Sequence, residues 1–528
     1  MLELAIAGGT VVDGTGSAGF RADVGVSEGR VVAVGDLAGA SARCRIEAAG
    51  LTVCPGFIDT HTHSEGDLLT DPQHAYGILQ GITTELLGID GMSYAPLSPE
   101  NYRAYRRWLG GLLGHPPEDL DMSTVTAFRS HYDCRVAVNT GYLVPAATVR
   151  LEAVGFRDVP LSGESMATAR RLVAEGLGQG AVGLSMGGAY YPGPWYTTEE
   201  LVELCEVVAE HDAVFMCEPR RANPARAFAG GGVEEAIEIA RRSGAKLHLA
   251  HFRTSAENAG RVDELMEPVD LAKAQGIDIT LDIYPYPTGA SIPVSFLPAW
   301  AQEGGPDEIV ERLRDPAPRD RIIEHIEGGS EMPAVLEDGV LTFVHGAPGL
   351  EGLTFGDVAA MRGQSAARAI CDLLCETDLA IGWLIAPPRS TGLWRQVSRD
   401  CMALLARGDY MVCSDHTPAG SMPHPRCYGA FPRILGRLRR QFGDLAVEQV
   451  VHRMTSRPAV RFGLKDRGVI REGAHADLVV FDPEQVIDTA TYDDPCQYPV
   501  GISHVVVNGQ LAVEKGRPTG LLAGRAVP

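Results

Sequence analysis

Between about residues 55 and 460 the chain alternates short apolar runs with helical stretches, and this alternation restricts it to very few folds. GFIDTH (56–61), GITTELLG (81–88), RVAVNTG (135–141), AVGLSM (181–186), AVFMCE (213–218), KLHLAH (246–251) and DITLDIY (278–284) have the length and composition of strands. LAIGWL (379–384) and YMVCSD (410–415) follow. Segments such as GESMATARRLVAEGL (163–177) and TEELVELCEVVAEH (198–211) repeat apolar residues at helical spacing. Strands joined by helices run parallel, because a hairpin turn cannot return the chain in the same direction. The expected class is therefore α/β, with a (β/α)8 TIM barrel. Nine candidates plus LTFVHG (341–346) exceed the eight strands required, so an insertion is expected, placed at about 287–347.

The two ends differ in texture. ELAIAGGTVV (3–12), DVGVS (23–27) and RVVAVG (30–35) read as a meander, as do DLVVFD (477–482) and SHVVVNGQLAVE (503–514), where Asn508-Gly509 marks a hairpin turn. Because chain termini often meet in space, 1–54 and 461–528 are expected to build one small β-sandwich around the barrel of 55–460. A net charge of −22 argues against nucleic acid or an anionic membrane as partner, since both reward clustered Lys and Arg. No apolar run approaches the length of a membrane span. Eleven cysteines at irregular spacing do not form a disulfide framework, which points to a reducing cytoplasm. Cys371 and Cys375, four apart in AICDLLC, read as helix residues rather than ligands. The number of copies in the assembly is left open, a homo-oligomer included.

In a barrel of this kind, chemistry sits where the strands end. His61 and His63 close the first strand, and two residues apart they point to one side. Asp90 follows the second strand, Glu218 and His251 end later ones, and Asp415 ends the last. A single strand-end His usually has a structural hydrogen bond, and a single strand-end carboxylate usually caps a helix. Six at one mouth form a ligand set for one or two divalent ions, with zinc favoured by the imidazoles.

PGFIDTHTH, with the β-rich start and the distant strand-end Asp415, resembles the amidohydrolase superfamily. QGITTELLGIDGMSYAP (80–96), GAVGLSMGGAYYPGPWYTTEEL (180–201), LDIYPYPTGAS (281–291), SDHTPAGSMPHPRCYGAFPRILGR (414–437), MTSRPAVRFGLKDRGVIREGAHADLVVFDP (454–483) and QYPVGISHVVVNG (497–509) narrow it. In order along nearly the whole chain, they resemble the N-acyl-D-amino-acid deacylase (D-aminoacylase) family. The resemblance implies that His61, His63 and His251 are metal ligands and that Asp415 is the metal-linked general base and acid. It implies that Arg426 grips a substrate α-carboxylate and that Tyr284 polarises the scissile carbonyl. Arg253, Tyr191, Ser291 and His416 are placed at the small amide substrate with them.

The departures fall in the pocket. Asp90 stands where the family has Cys, Glu218 and Ala146 where it has His, Arg253 where it has Lys, and His416 where SDG has Gly. Asp90 can still bridge two ions, and the set becomes richer in oxygen. Three readings stay open here. The first is hydrolysis of a C–N amide bond in a small carboxylate-bearing substrate. The second is opening of a cyclic amide, imide or ureide, as in hydantoinases and dihydroorotases. The third is a paralogue that binds a small ligand without catalysis.

Overall fold

The computed structural model describes residues 1–220, 223–329 and 336–527. Eight parallel strands form the barrel sheet: β1 (Phe57–Asp59), β2 (Ile82–Leu87), β3 (Asn139–Pro145), β4 (Gly183–Gly187), β5 (Val214–Glu218), β6 (Lys246–Leu249), β7 (Ile279–Ile283) and β8 (Tyr410–Val412). Nearly every residue in them is buried, as expected for strands covered on both faces. The barrel closes just beyond β1 and β8. Thr62 bridges His416, the Asp415 amide donates to the His61 carbonyl (2.8 Å), and the His63 amide donates to the His416 carbonyl (3.0 Å).

Helix Thr198–Glu210 begins on a capping box, in which the Thr197 hydroxyl accepts from the Glu200 amide and Glu200 accepts from the Thr197 amide. Helix Ala366–Glu376 carries Cys371 and Cys375 as expected.

Two expectations change. β3 lies four residues later than RVAVNTG, because the backbone of 136–137 is used elsewhere: the Ala137 amide donates to Pro72, and the Val136 carbonyl accepts from Gly524. LAIGWL is not a barrel strand. Ile381–Leu384 pairs antiparallel with Val340–Val344 and with Ala290–Ser291 in a separate three-stranded sheet. The inserted layer therefore extends past residue 347 to the strand ending at Leu384. A nine-stranded mixed sheet draws on both chain ends, with Leu478–Phe481 antiparallel to Thr52–Pro55 at the junction. Its own core includes Ile6, Val24, Val53, Leu478 and Val506.

Candidate active site

At the C-terminal mouth of the barrel lies a cavity of about 400 Å³ with Asp90, His251 and Asp415 on its wall. Asp90, His251 and Asp415 each sit just past a strand end with left-handed φ (52°, 32° and 50°). Such backbone is costly for residues with a Cβ and is held here by the surrounding hydrogen bonds. Asp282 at the end of β7 accepts from the His251 amide (2.6 Å), and Asp59 accepts from the amides of His61 (3.2 Å) and Ser414 (3.0 Å).

Asp90 is the central carboxylate. Its Oδ2 lies 3.1 Å from His61 Nε2, 3.5 Å from His63 Nε2 and 3.9 Å from His251 Nε2. Asp415 Oδ1 lies 3.6 Å from His61 Nε2 and 3.4 Å from His63 Nε2. Two ligand atoms of one tetrahedral zinc are about 3.3 Å apart, given bonds of about 2.0–2.1 Å. Most of these separations match. The residues form two overlapping triads, His61–Asp90–His251 and His61–His63–Asp415, which allows either one ion or two.

The electrostatics agree. Burial opposes charge on His63, but the carboxylates of Asp415 and Asp90 overcome it and raise its pKa to about 9. Burial likewise opposes ionisation of Asp415, yet the Arg426 guanidinium and His61 hold it below the usual carboxylate range. A cluster that draws protons onto buried imidazoles accepts a divalent cation in their place. Glu218 stands at the edge, its Oε1 3.9 Å from His251 Nε2 and its side chain on the cavity wall.

Tyr284 lies on the wall between two guanidiniums, Arg253 4.3 Å and Arg426 4.7 Å from its ring centre. Arg253 Nη2 donates to its hydroxyl (2.6 Å). Arg426 is fully buried, with Nη1 2.6 Å from Asp415 Oδ2. Tyr191 and Ser291 line the cavity, and the Ser291 hydroxyl shares a hydrogen bond with Tyr190 (3.0 Å).

His416 departs from the expectation that it meets substrate. It is fully buried and directed away from the cavity, with Nδ1 2.8 Å from Ser414 Oγ and its ring against His74 and Tyr76. The backbone turns through left-handed φ at Asp415, and the His416 side chain leaves it on the side of His74 and Tyr76. There it meets Glu85, which accepts from Ser64 (2.5 Å) and is 2.5 Å from His74 Nε2. His248, between Thr280 and Asp282, supports the site from behind, and His345 stacks on His115. Ala146 starts a helix after β3, and its carbonyl accepts from Tyr196.

The sequence reading missed Arg220, Phe296, Trp383 and Ile385 on the cavity wall. Arg220 was legible as the last residue of CEPR. It donates bidentately to Glu235 and is neutralised there. The other three come from the inserted layer, whose placement over the mouth depends on long-range pairing.

The fold and this geometry define a metal-dependent hydrolase. The chain belongs to the amidohydrolase family, whose sequence model matches residues 45–513, and within it to the N-acyl-D-amino-acid deacylase branch. It is 32% identical to the D-aminoacylase of Alcaligenes xylosoxydans xylosoxydans over 99% of this chain and 97% of that one. It is 33% identical to the N-acyl-D-glutamate deacylase of the same organism over 98% and 95%. The solved N-acyl-D-glutamate deacylase of Bordetella bronchiseptica, complexed with zinc and a phosphonate mimic of the tetrahedral intermediate, superposes with a TM-score of 0.81. That protein is 31% identical and is covered over 99% of its length by 100% of this chain.

Proposed function

We propose that the protein hydrolyses the amide bond of an N-acyl-D-amino acid with one or two zinc ions held by His61, His63, Asp90, His251 and Asp415, and with Glu218 at the edge of the set. The observation that carries this reading is the ligand-spaced cluster beside Tyr284 and two arginines at the mouth of one cavity.

The ion supplies Lewis acidity toward the carbonyl and makes water a nucleophile near neutral pH. Asp415, ionised at the cavity floor, takes the proton of the attacking water and returns it to the departing nitrogen, which would otherwise leave as an anion. Tyr284 accepts from Arg253, so its own proton is directed to the carbonyl oxygen as charge builds there. Arg426 and Arg253 orient the substrate carboxylate, while Tyr191 and Ser291 border the rest of the molecule.

No helix of the described residues is long and apolar enough to cross a membrane. The irregular set of eleven cysteines supports a reducing, cytoplasmic setting. The test is a panel of N-acetyl-D-amino acids, their L-isomers, hydantoins and dihydropyrimidines, assayed with the zinc-loaded protein. Turnover of the D-acyl set is expected. Turnover of the cyclic set alone would overturn the reading.

A further inference from the structure

Arg426 has an unusual support. Its guanidinium is fully buried and ion-paired to Asp415, yet neither Nε nor the two Nη atoms make a hydrogen bond of good geometry within the described residues. A long side chain without such bonds takes its aim from its backbone and from the ring it stacks on.

The backbone is tied by His424, two residues earlier. His424 Nδ1 accepts from the Arg426 amide (3.1 Å), so in the neutral ring the proton is on Nε2. His424 Nε2 donates to the Tyr492 hydroxyl (2.9 Å), which leaves that hydroxyl to donate to Thr288 Oγ1 (2.7 Å). Tyr286 and Tyr492 pack edge-on against the His424 ring at 5.3 and 4.9 Å, and Trp394 packs on Tyr492 at 5.8 Å. Tyr492 lies far beyond β8, in a segment clamped by Asp488 to Arg433 (2.8 Å) and Arg437 (2.6 Å). Thr288 precedes Gly289, Ala290 and Ser291, all on the cavity wall.

We propose that Tyr492 is a positioning residue for substrate recognition: anchored by Thr288, it sets the aim of Arg426 through His424. Arg426, His424, Tyr492 and Thr288 are thereby joined in one continuous set of hydrogen bonds. This inference rests on the reading of Arg426 as the carboxylate anchor.

The test compares N-acetyl-D-leucine with N-acetyl-3-methylbutylamine, the same amide without its carboxylate, on the zinc-loaded full chain. The wild type is expected to favour the acid. Tyr492→Phe should lower kcat/KM for the acid about five-fold through KM, with kcat nearly constant and the amine unaffected. Thr288→Val should show the same pattern, and Thr288→Ser, which keeps the acceptor, should recover most of the loss. Equal losses on both substrates would show a merely structural role, and no loss would remove Tyr492 from recognition; either overturns the proposal. A wild type indifferent to the carboxylate would instead overturn the reading of Arg426, and this inference with it.

Discussion

Two buried groups of imidazoles and carboxylates flank the Asp415–His416 backbone, and they differ in spacing. In the outer group, Asp90 and Asp415 sit 3.1–3.6 Å from the ring nitrogens of His61 and His63. In the inner group, His74 Nε2 and Glu85 Oε1 are 2.5 Å apart, and His416 Nε2 is 3.8 Å from Glu85 Oε2. The first separation suits two ligands sharing an ion. The second is that of two atoms sharing a proton and is too short for two zinc ligands. Similar residue types thus suit different work: the outer group meets the cavity at spacings that fit a shared metal ion, and the inner group is an ion pair beside the barrel seam.

The comparison predicts a graded set of losses. Chelation of the metal should abolish turnover, and zinc should restore it; assays before and after dialysis against a chelator check this. Asp415→Asn keeps the shape but removes the base, so kcat should fall about 10³-fold while bound metal, counted by mass spectrometry, decreases far less. Tyr284→Phe should cost about 10²-fold in kcat, because it removes a donor that acts as charge builds on the carbonyl oxygen.

The inner group should respond in stability instead. His74→Ala leaves Glu85 buried without its cation and should cost about 3–5 kcal/mol in denaturant unfolding, with the metal count unchanged. A lower metal count at full stability would break the distinction. The smallest effect is with pH. Burial keeps His416 neutral down to about 3 in the fold, whereas the unfolded chain protonates it below its ordinary 6.5. The unfolded state then binds the extra proton, so stability falls as pH drops below 6.5. Glu85, held down to about 2 against burial by His74 and His416, adds a loss only below 4.5. Melting temperatures from pH 7 to 5 should therefore fall more steeply for the wild type than for His416→Gln.

The barrel was legible because its strands are continuous apolar runs between helices, a local pattern. His61, His63 and Asp415 were legible for the same reason, each standing at the end of such a run. Ile381–Leu384 misled because an apolar strand carries no mark of which sheet it will join. His416 misled because adjacency in sequence to Asp415 suggests adjacency in the pocket, while the two side chains leave in different directions from a backbone that turns through left-handed φ at Asp415. The inner group joins residues 74, 85 and 416, and Trp383 reaches the cavity only through the pairing of 381–384 with 340–344. Contacts of that range have no local signature.

The most direct measurement is anomalous diffraction at the zinc edge from crystals of the zinc-loaded, active protein. The account predicts one or two peaks within bonding distance of His61, His63, Asp90, His251 and Asp415, and none among His74, Glu85 and His416. A peak at the inner group, or an outer group without metal in crystals of active enzyme, would contradict it.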